Sequence, residues 1–317
     1  MLTRRAYLKH TALLGAAVTL PGSLLHALES RELIKRAIPK TGEELPIVGL
    51  GTSATFRQVA MSDDTSPLRR VIETLVDNGC KVLDTAPSYN NAEEVCGRLA
   101  REAGLTDTIF WATKVNVVPR RSEEKADPAK AREQVERSFE RIGKKPVDLI
   151  QVHDVSDIPG HMPIIQEYKE AGRIRYLGVT STRKHQYETL ERAMRDYPID
   201  FIGVDYAVDN RSAAERILPL AEELGIAVLV YVPFGRTRLW QRVSGLEVPD
   251  WAREIGADTW GRFFIKYAAA HPTVTCVTPA TSKPHHMLDN IGAAYGELPD
   301  AALQRRMEAY VDALPAA

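Results

Sequence analysis

From residue 45 onward, short apolar runs alternate with longer stretches whose apolar residues recur at helical spacing. The runs are Ile47–Gly51, Lys81–Asp84, Ile109–Lys114, Val147–His153, Ile174–Thr180, Phe201–Val204, Ala227–Tyr231 and Val274–Thr278. Most are rich in Val, Ile or Leu and bounded by Gly, Asp or Pro, and all are too short for helices, so they predict strands. Between them Leu68–Asn78 reads as a helix closed by Gly79, and Ala213–Leu224 as one closed by Gly225. Glu188–Arg195 follows the same logic, and Pro128–Ile142 opens with Asp127 as N-cap and proline at the first helical position. Strand followed by helix, repeated, means parallel strands joined by crossovers. Eight such units favour a closed (β/α)8 TIM barrel over an open doubly wound sheet, and no GxGxxG follows any strand. The barrel is assigned to 45–317 and a linker to 28–44. The segment Arg236–Asp258, with Trp240 and Trp251, is long for a simple connection and would cover a pocket on the C-terminal face.

Composition adds little to this and excludes more. The 317 residues are 44% hydrophobic and 26% charged, ordinary for one large globular core. Basic residues are dispersed and the net charge is −1, which gives no electrostatic reason to bind nucleic acid or an anionic membrane. Cys80, Cys96 and Cys276 are too few and scattered for a disulfide framework or metal cluster. They read as small buried hydrophobes, with a Cys80–Cys96 bridge as the alternative.

The first residues read as an address. Thr3-Arg4-Arg5-Ala6-Tyr7-Leu8-Lys9 precedes an apolar run from Thr11 to Leu20, and Leu25-His26-Ala27 offers a cleavage site. The run is too short to span a bilayer comfortably. The paired arginines resemble a twin-arginine signal peptide over 1–27. That resemblance implies a bacterial source, the twin-arginine export machinery as a partner, a periplasmic or otherwise exported location, and no membrane anchoring after cleavage.

The chemistry sits at successive strand ends. Asp84 ends the second strand, Tyr89 lies in the loop after it, Lys114 ends the third and His153 the fourth. In a (β/α)8 barrel these ends share the face that carries active sites. Each residue alone has an ordinary explanation as a cap, a packed aromatic, a solvated lysine or a satisfied histidine. Together they have compatible roles. A phenol is a poor proton donor at neutral pH, a neighbouring ammonium favours its phenolate, and a carboxylate holds the ammonium in place. A neutral imidazole can orient a carbonyl oxygen while charge builds on it. A metal-dependent hydrolase would instead need clustered His and carboxylate ligands, for which His153-Asp154 is a thin basis.

The motifs around these residues resemble those of the aldo-keto reductases. Leu83-Asp84-Thr85-Ala86-Pro87-Ser88-Tyr89-Asn90, with Glu93, Glu94 and Gly97, is similar to the segment holding that family's catalytic Asp and Tyr. Ala112-Thr113-Lys114-Val115 is similar to the segment of its catalytic Lys, and Val147-Asp148-Leu149-Ile150-Gln151-Val152-His153 to that of its catalytic His. Gly172-Arg173-Ile174-Arg175-Tyr176-Leu177-Gly178-Val179-Thr180 resembles the fifth strand, and the likeness runs in family order from 45 to 295. It implies an oxidoreductase that transfers a hydride between a nicotinamide cofactor and a carbonyl or alcohol substrate, with Tyr89 as general acid and base. The alternative is an exported barrel that binds or senses without productive turnover.

The resemblance also implies where a cofactor lies. Gly51 and Thr52 approach it from the first strand, Tyr231 stacks on the nicotinamide, and Pro233 to Gly235 line the pyrophosphate path. Thr281, Ser282, Lys283, His286, Asp289 and Asn290 grip the adenosine end. Two slots depart from the family. Where it holds the carboxamide with a Ser-Asn pair and a Gln, this chain has Thr180-Ser181 and Gly203; where an Arg commonly binds the 2′-phosphate, it has His286. NADP(H) is the implied cofactor, with NAD(H) as the alternative. Phe56, Trp111, Val115 and Trp240 are the candidates for an aromatic and apolar substrate wall.

Overall fold

Eight parallel strands run in sequence order, from β3 (Leu50–Gly51) through β4 (Val82–Asp84), β5 (Phe110–Val115), β6 (Val147–Val152), β7 (Ile174–Ser181), β8 (Phe201–Asp205) and β9 (Ala227–Tyr231) to β10 (Val274–Val277). This computed structural model describes residues 32–119, 122 and 124–315; the expected signal peptide lies outside them. Parallel bridges Val48↔Val277 and Gly51↔Ala280 join the first barrel strand to the last. Backbone bonds Gly49 N–H to Val277 O (2.9 Å) and Gly51 N–H to Pro279 O (3.0 Å) accompany them. The ring is the (β/α)8 barrel expected from the alternation.

Two cores follow from the two-residue period of the strands. Val82, Phe110, Ala112, Leu149, Tyr176, Phe201 and Leu229 fill the lumen. Residues of opposite parity, such as Leu83, Trp111, Val115 and Ile150, pack outward against the helices. The helices begin and end where local chemistry dictates. Asp127 accepts bonds from the N–H groups of Ala129 (2.9 Å) and Lys130 (3.3 Å) at the start of Pro128–Ile142. Gly143, at φ 79°, ends that helix in the left-handed conformation that glycine adopts without strain.

One assignment needs correction. The segment read as a linker, 28–44, contains β1 (Lys35–Ala37), which pairs antiparallel with β2 (Glu44–Pro46). Ile38 and Leu45 of this hairpin are fully buried in the lumen core, so it is the floor of the barrel. Its pattern is too short and too polar to announce a strand; tertiary burial of those two side chains selects it. Glu43 anchors the floor. Its carboxylate accepts from Arg175, from the Tyr176 hydroxyl at 2.9 Å and from Lys81 at 3.4 Å.

Burial alone would raise the Glu43 carboxyl, but the bonds from Arg175 and Tyr176 outweigh it and hold the group below its ordinary range. A depressed carboxyl stabilises the fold above the unfolded chain's pKa, and that stability is lost as pH falls through the folded value. The variant Glu43→Gln is therefore expected to lose about 1 kcal/mol at neutral pH, since the cluster is partly solvated. Denaturant midpoints for the two proteins should converge under acid conditions; a gap that persists there would contradict the assignment.

Cys80, Cys96 and Cys276 are free and buried, which removes the alternative of a Cys80–Cys96 bridge. Among the described residues, no helix is long and apolar enough to cross a membrane.

Candidate active site

Asp84 is the last residue of β4 and Lys114 the penultimate residue of β5, on strands paired in register. Both point into the barrel mouth and both are buried, at 4% and 1% side-chain exposure. Lys114 Nζ lies 2.8 Å from Asp84 Oδ1, 2.6 Å from Oδ2 and 2.8 Å from the Thr85 carbonyl. Desolvating two opposite charges is tolerable only with partners this close.

Tyr89 comes from the loop after β4. Lys114 Nζ sits 5.2 Å from its ring centre, close enough for its charge to act on the phenol. The His153 ring stands edge-on to Tyr89 at 5.8 Å and 78°, and His153 Nδ1 lies 3.4 Å from Ser88 Oγ. All four expected residues therefore meet at one mouth. Among the described residues, no group of three or more His, Cys, Asp or Glu side chains could hold a metal ion.

Electrostatics amends one expectation. Burial pushes the Tyr89 phenol above its ordinary value; Lys114 pulls it down as expected, while Asp84 and Asp154 push it up. The net direction is upward, because low polarity penalises phenolate more than one ammonium favours it. Tyr89 therefore keeps its proton at neutral pH. Burial likewise raises Asp84, against Lys114 and Tyr231. For Lys114 burial acts to lower the group, but Asp84 and Tyr89 together raise it.

Backbone strain clusters here too. Asn90 after Tyr89, Asp154 after His153 and Val232 after Tyr231 have φ of 53°, 57° and 56°. Non-glycine residues rarely occupy that region, and a β-branched valine least of all.

The expected cofactor residues fall into two groups. Near the tetrad, Gly51 presses on the backbone just after β10, where an added Cβ would lie 2.7 Å from the Thr278 carbonyl, so its small size serves barrel closure. Thr52 is fully buried with an unpartnered hydroxyl beside the Asp84 backbone, to which it donates its N–H at 2.9 Å. Thr180 Oγ1 accepts from Asp154 N–H at 3.0 Å, and Ser181 donates to Gln186 Oε1 at 2.8 Å, so both hydroxyls brace the loop carrying His153. Tyr231 turns into the lumen, where its hydroxyl meets Asp84 at 2.8 Å. Pro233 and Gly235 follow it, both buried, with Gly235 at φ 58°.

The second group surrounds the helix Pro284–Gly292. Thr281 Oγ1 accepts from Lys283 N–H at 3.1 Å just before it, with Ser282 between them. Lys283 and His286 are exposed. Burial, then His285 and Lys283, pushes His286 below its ordinary value, so it is uncharged at neutral pH. Asp289 accepts from Thr259 Oγ1 (2.7 Å) and Arg262 Nε (3.0 Å), and Asn290 is buried.

The substrate wall needs correction. Phe56 and Trp111 have no exposed surface and belong to the outer core. Trp111 alternates with the lumen residues Phe110 and Ala112, and its indole N–H goes to the Thr106 carbonyl at 2.9 Å. Val115 has the same outward parity. Trp240 is 41% exposed but packs on Phe234 and Phe264, at 5.0 and 5.7 Å between ring centres. It also crowds Gly261, where an added Cβ would meet Asp289 Oδ2 at 3.1 Å, Asn290 Oδ1 at 3.5 Å and the Trp240 ring at 3.7 Å. Trp240 thus belongs with the second group. Gln151 was missed. It lies two residues before His153 on the same inward face, a signal that strand parity offered.

Comparisons with known proteins bear on the family and the fold. The model of the aldo/keto reductase family matches residues 47–310. The NADH-specific methylglyoxal reductase of Escherichia coli (strain K12) is 30% identical over 65% of this chain and 69% of its own length. Holo aldo-keto reductase AKR11C1 from Bacillus halodurans superposes with a TM-score of 0.69 at 24% identity, covering 90% of this chain and 98% of that one. An aldo-keto reductase from Klebsiella pneumoniae in complex with NADPH gives 0.66 at 21%, covering 88% and 96%. At these identities the two structures speak to the fold. With the family model spanning most of the sequence, the chain belongs to the aldo/keto reductase family of NAD(P)-dependent oxidoreductases.

Proposed function

We propose that this chain reduces a small aldehyde or ketone to the alcohol, with Tyr89 supplying the proton to the carbonyl oxygen. The observation that carries this reading is the buried Asp84–Lys114 pair beside Tyr89 and His153. A reduced nicotinamide, when bound, would supply the hydride to the carbonyl carbon. Tyr89 gives its proton to the oxygen as negative charge builds there, and solvent restores it. Lys114 stabilises the phenolate left behind, Asp84 holds the ammonium, and His153 orients the substrate oxygen.

The residues present fit a nicotinamide dinucleotide in part. Thr52 Oγ1 and Gln151 Oε1 are buried hydrogen-bonding atoms without partners at or below the mouth. Trp240, Asn290, Ser282 and Lys283 would hold the adenosine end. Incubating the protein with NADPH or NADH and a panel of aldehydes tests the reading: loss of nicotinamide absorbance is expected. No loss with any pair would leave only a binding or sensing role.

NADP(H) and NAD(H) are both accommodated by this proposal. His286 is cationic only below its ordinary value of 6.5, so preference for the 2′-phosphate should sharpen on acidification and fade as pH rises. Dissociation constants for both nucleotides at about pH 5.5 and about pH 8 measure this. A preference for NADP(H) that grows with pH would exclude His286 as its source.

We further propose that residues 1–27 direct export by the twin-arginine route, to a periplasmic or otherwise exported location. The support is Arg4-Arg5 ahead of the apolar run and a small-residue cleavage site. Cell fractionation of the wild type and an Arg4→Lys, Arg5→Lys variant tests it. Loss of export in the variant is expected; unchanged distribution would refute the route. Folded export would let a nucleotide travel already bound and be recycled by oxidising one substrate and reducing another. Exported protein purified free of nucleotide would contradict that cycle.

A further inference from the structure

We propose that Tyr231 is a positioning residue of the proton-transfer machinery, its hydroxyl fixing Asp84 and, through Asp84, the ammonium that serves Tyr89. This rests on the carbonyl-reduction reading above and extends it to a second phenol. Tyr231 ends β9, and two strands, β10 and β3, separate it from β4 in the closed ring. Its hydroxyl nevertheless reaches Asp84 Oδ1 across the lumen at 2.8 Å, while its oxygen accepts from Gln151 Nε2 of β6 at 3.0 Å. Lys114 Nζ lies 5.2 Å from its ring centre, the same distance as from the ring of Tyr89. Four strands are thereby tied through one hydroxyl and one carboxylate.

The surrounding sequence makes room for this chord. On β8, a Cβ at Gly203 would lie 2.3 Å from Tyr231 Cε2 and 2.7 Å from its hydroxyl. On β7, a Cβ at Gly178 would lie 2.8 Å from Gln151 Cγ. Two adjacent strands thus lack side chains at the places that Tyr231 and Gln151 fill. Immediately after Tyr231, Val232 occupies the left-handed region at φ 56°, matching the step after Tyr89 and after His153. A valine there is held by its surroundings, and the Tyr231–Asp84 bond is the adjoining constraint.

The groups facing the network define the direction of its effect. Asp84 meets Lys114 and Tyr231, with Cys276 of β10 nearby; Tyr89 meets Lys114, His153, Asp84 and Asp154. Asp205, the β8 register partner of Tyr231, turns instead to Tyr187 (3.4 Å) and Asn210 (2.7 Å). The donated Tyr231 hydrogen partly neutralises Asp84. Without it the carboxylate opposes ionisation of Tyr89 more strongly, and Tyr89 becomes a weaker acid.

Tyr231→Phe separates this role from stacking, because it keeps the ring and removes only the hydroxyl. Expected are a fall in kcat for carbonyl reduction of about ten- to thirty-fold, an unchanged nucleotide dissociation constant, and an alkaline limb moved to higher pH. Gly203→Ala should reproduce the fall by displacing the ring. A wild-type kcat and pH profile in Tyr231→Phe would overturn the proposal, as would weakened nucleotide binding alone. A second readout does not depend on turnover. In protein labelled with 13C-tyrosine, the Tyr89 resonance, assigned by its loss in Tyr89→Phe, should titrate at higher pH in Tyr231→Phe. An unmoved midpoint refutes the positioning role even if the enzyme reduces aldehydes; a moved midpoint supports it even if no substrate in the panel is turned over.

Discussion

Tyr89→Phe is expected to lower turnover by about two to four orders of magnitude while leaving the nucleotide dissociation constant near the wild-type value. The substitution keeps the ring that packs edge-on with His153 and removes only the hydroxyl that carries the acidic hydrogen. Hydride arriving at carbon then leaves charge on an oxygen with no donor placed to neutralise it. Since burial raises Tyr89 above its ordinary value of 10.0, the protonated donor persists through neutral pH. The wild-type rate of reduction is expected to be flat there and to fall only in the alkaline range. Wild-type turnover by the phenylalanine variant would remove Tyr89 as the donor, whatever its position.

The second large effect concerns stability as well as rate. Lys114→Met leaves the Asp84 carboxylate buried with Tyr231 as its remaining donor, at an expected cost of about 3–5 kcal/mol. Asp84 is already raised by burial, and it rises further once the ammonium is gone. A carboxyl raised above its unfolded value keeps its stabilising contribution below that value and loses it as pH rises through the folded one. The deficit of Lys114→Met should therefore be smallest in acid and grow toward neutrality. Adding Asp84→Asn should recover much of it, because the pair is then replaced by uncharged groups. Chemical denaturation across pH reads all three outcomes, and a Lys114→Met variant as stable as wild type would contradict the buried ion pair.

Much of this architecture was legible before any coordinates. The apolar runs ending in Asp84, Lys114 and His153 are strands whose ends must share one face if the ring closes, and they do. Asp127-Pro128 opened a helix through capping chemistry that needs no distant partner. The substrate wall was less legible, because an aromatic at a strand position faces the lumen or the helices according to parity. Trp111 next to Lys114 looked close to the site, yet three steps along β5 put it on the opposite face. Trp240 lies on the short helix Arg238–Arg242 within the segment read as a long connection, and it packs on Phe234 and Phe264 at a place that spacing does not encode.

Local sequence determined the repeating unit, the helix boundaries and the candidates for chemistry, because periodicity and capping act over a few residues. Tertiary structure decided what depends on contacts between distant segments. It made Ile38 and Leu45 the barrel floor, sent Trp111 outward, and carried the Tyr231 hydroxyl across the lumen to Asp84. It also reversed the balance on Tyr89, since burial and a neighbouring ammonium oppose each other and only the closed barrel fixes how deeply the phenol is buried.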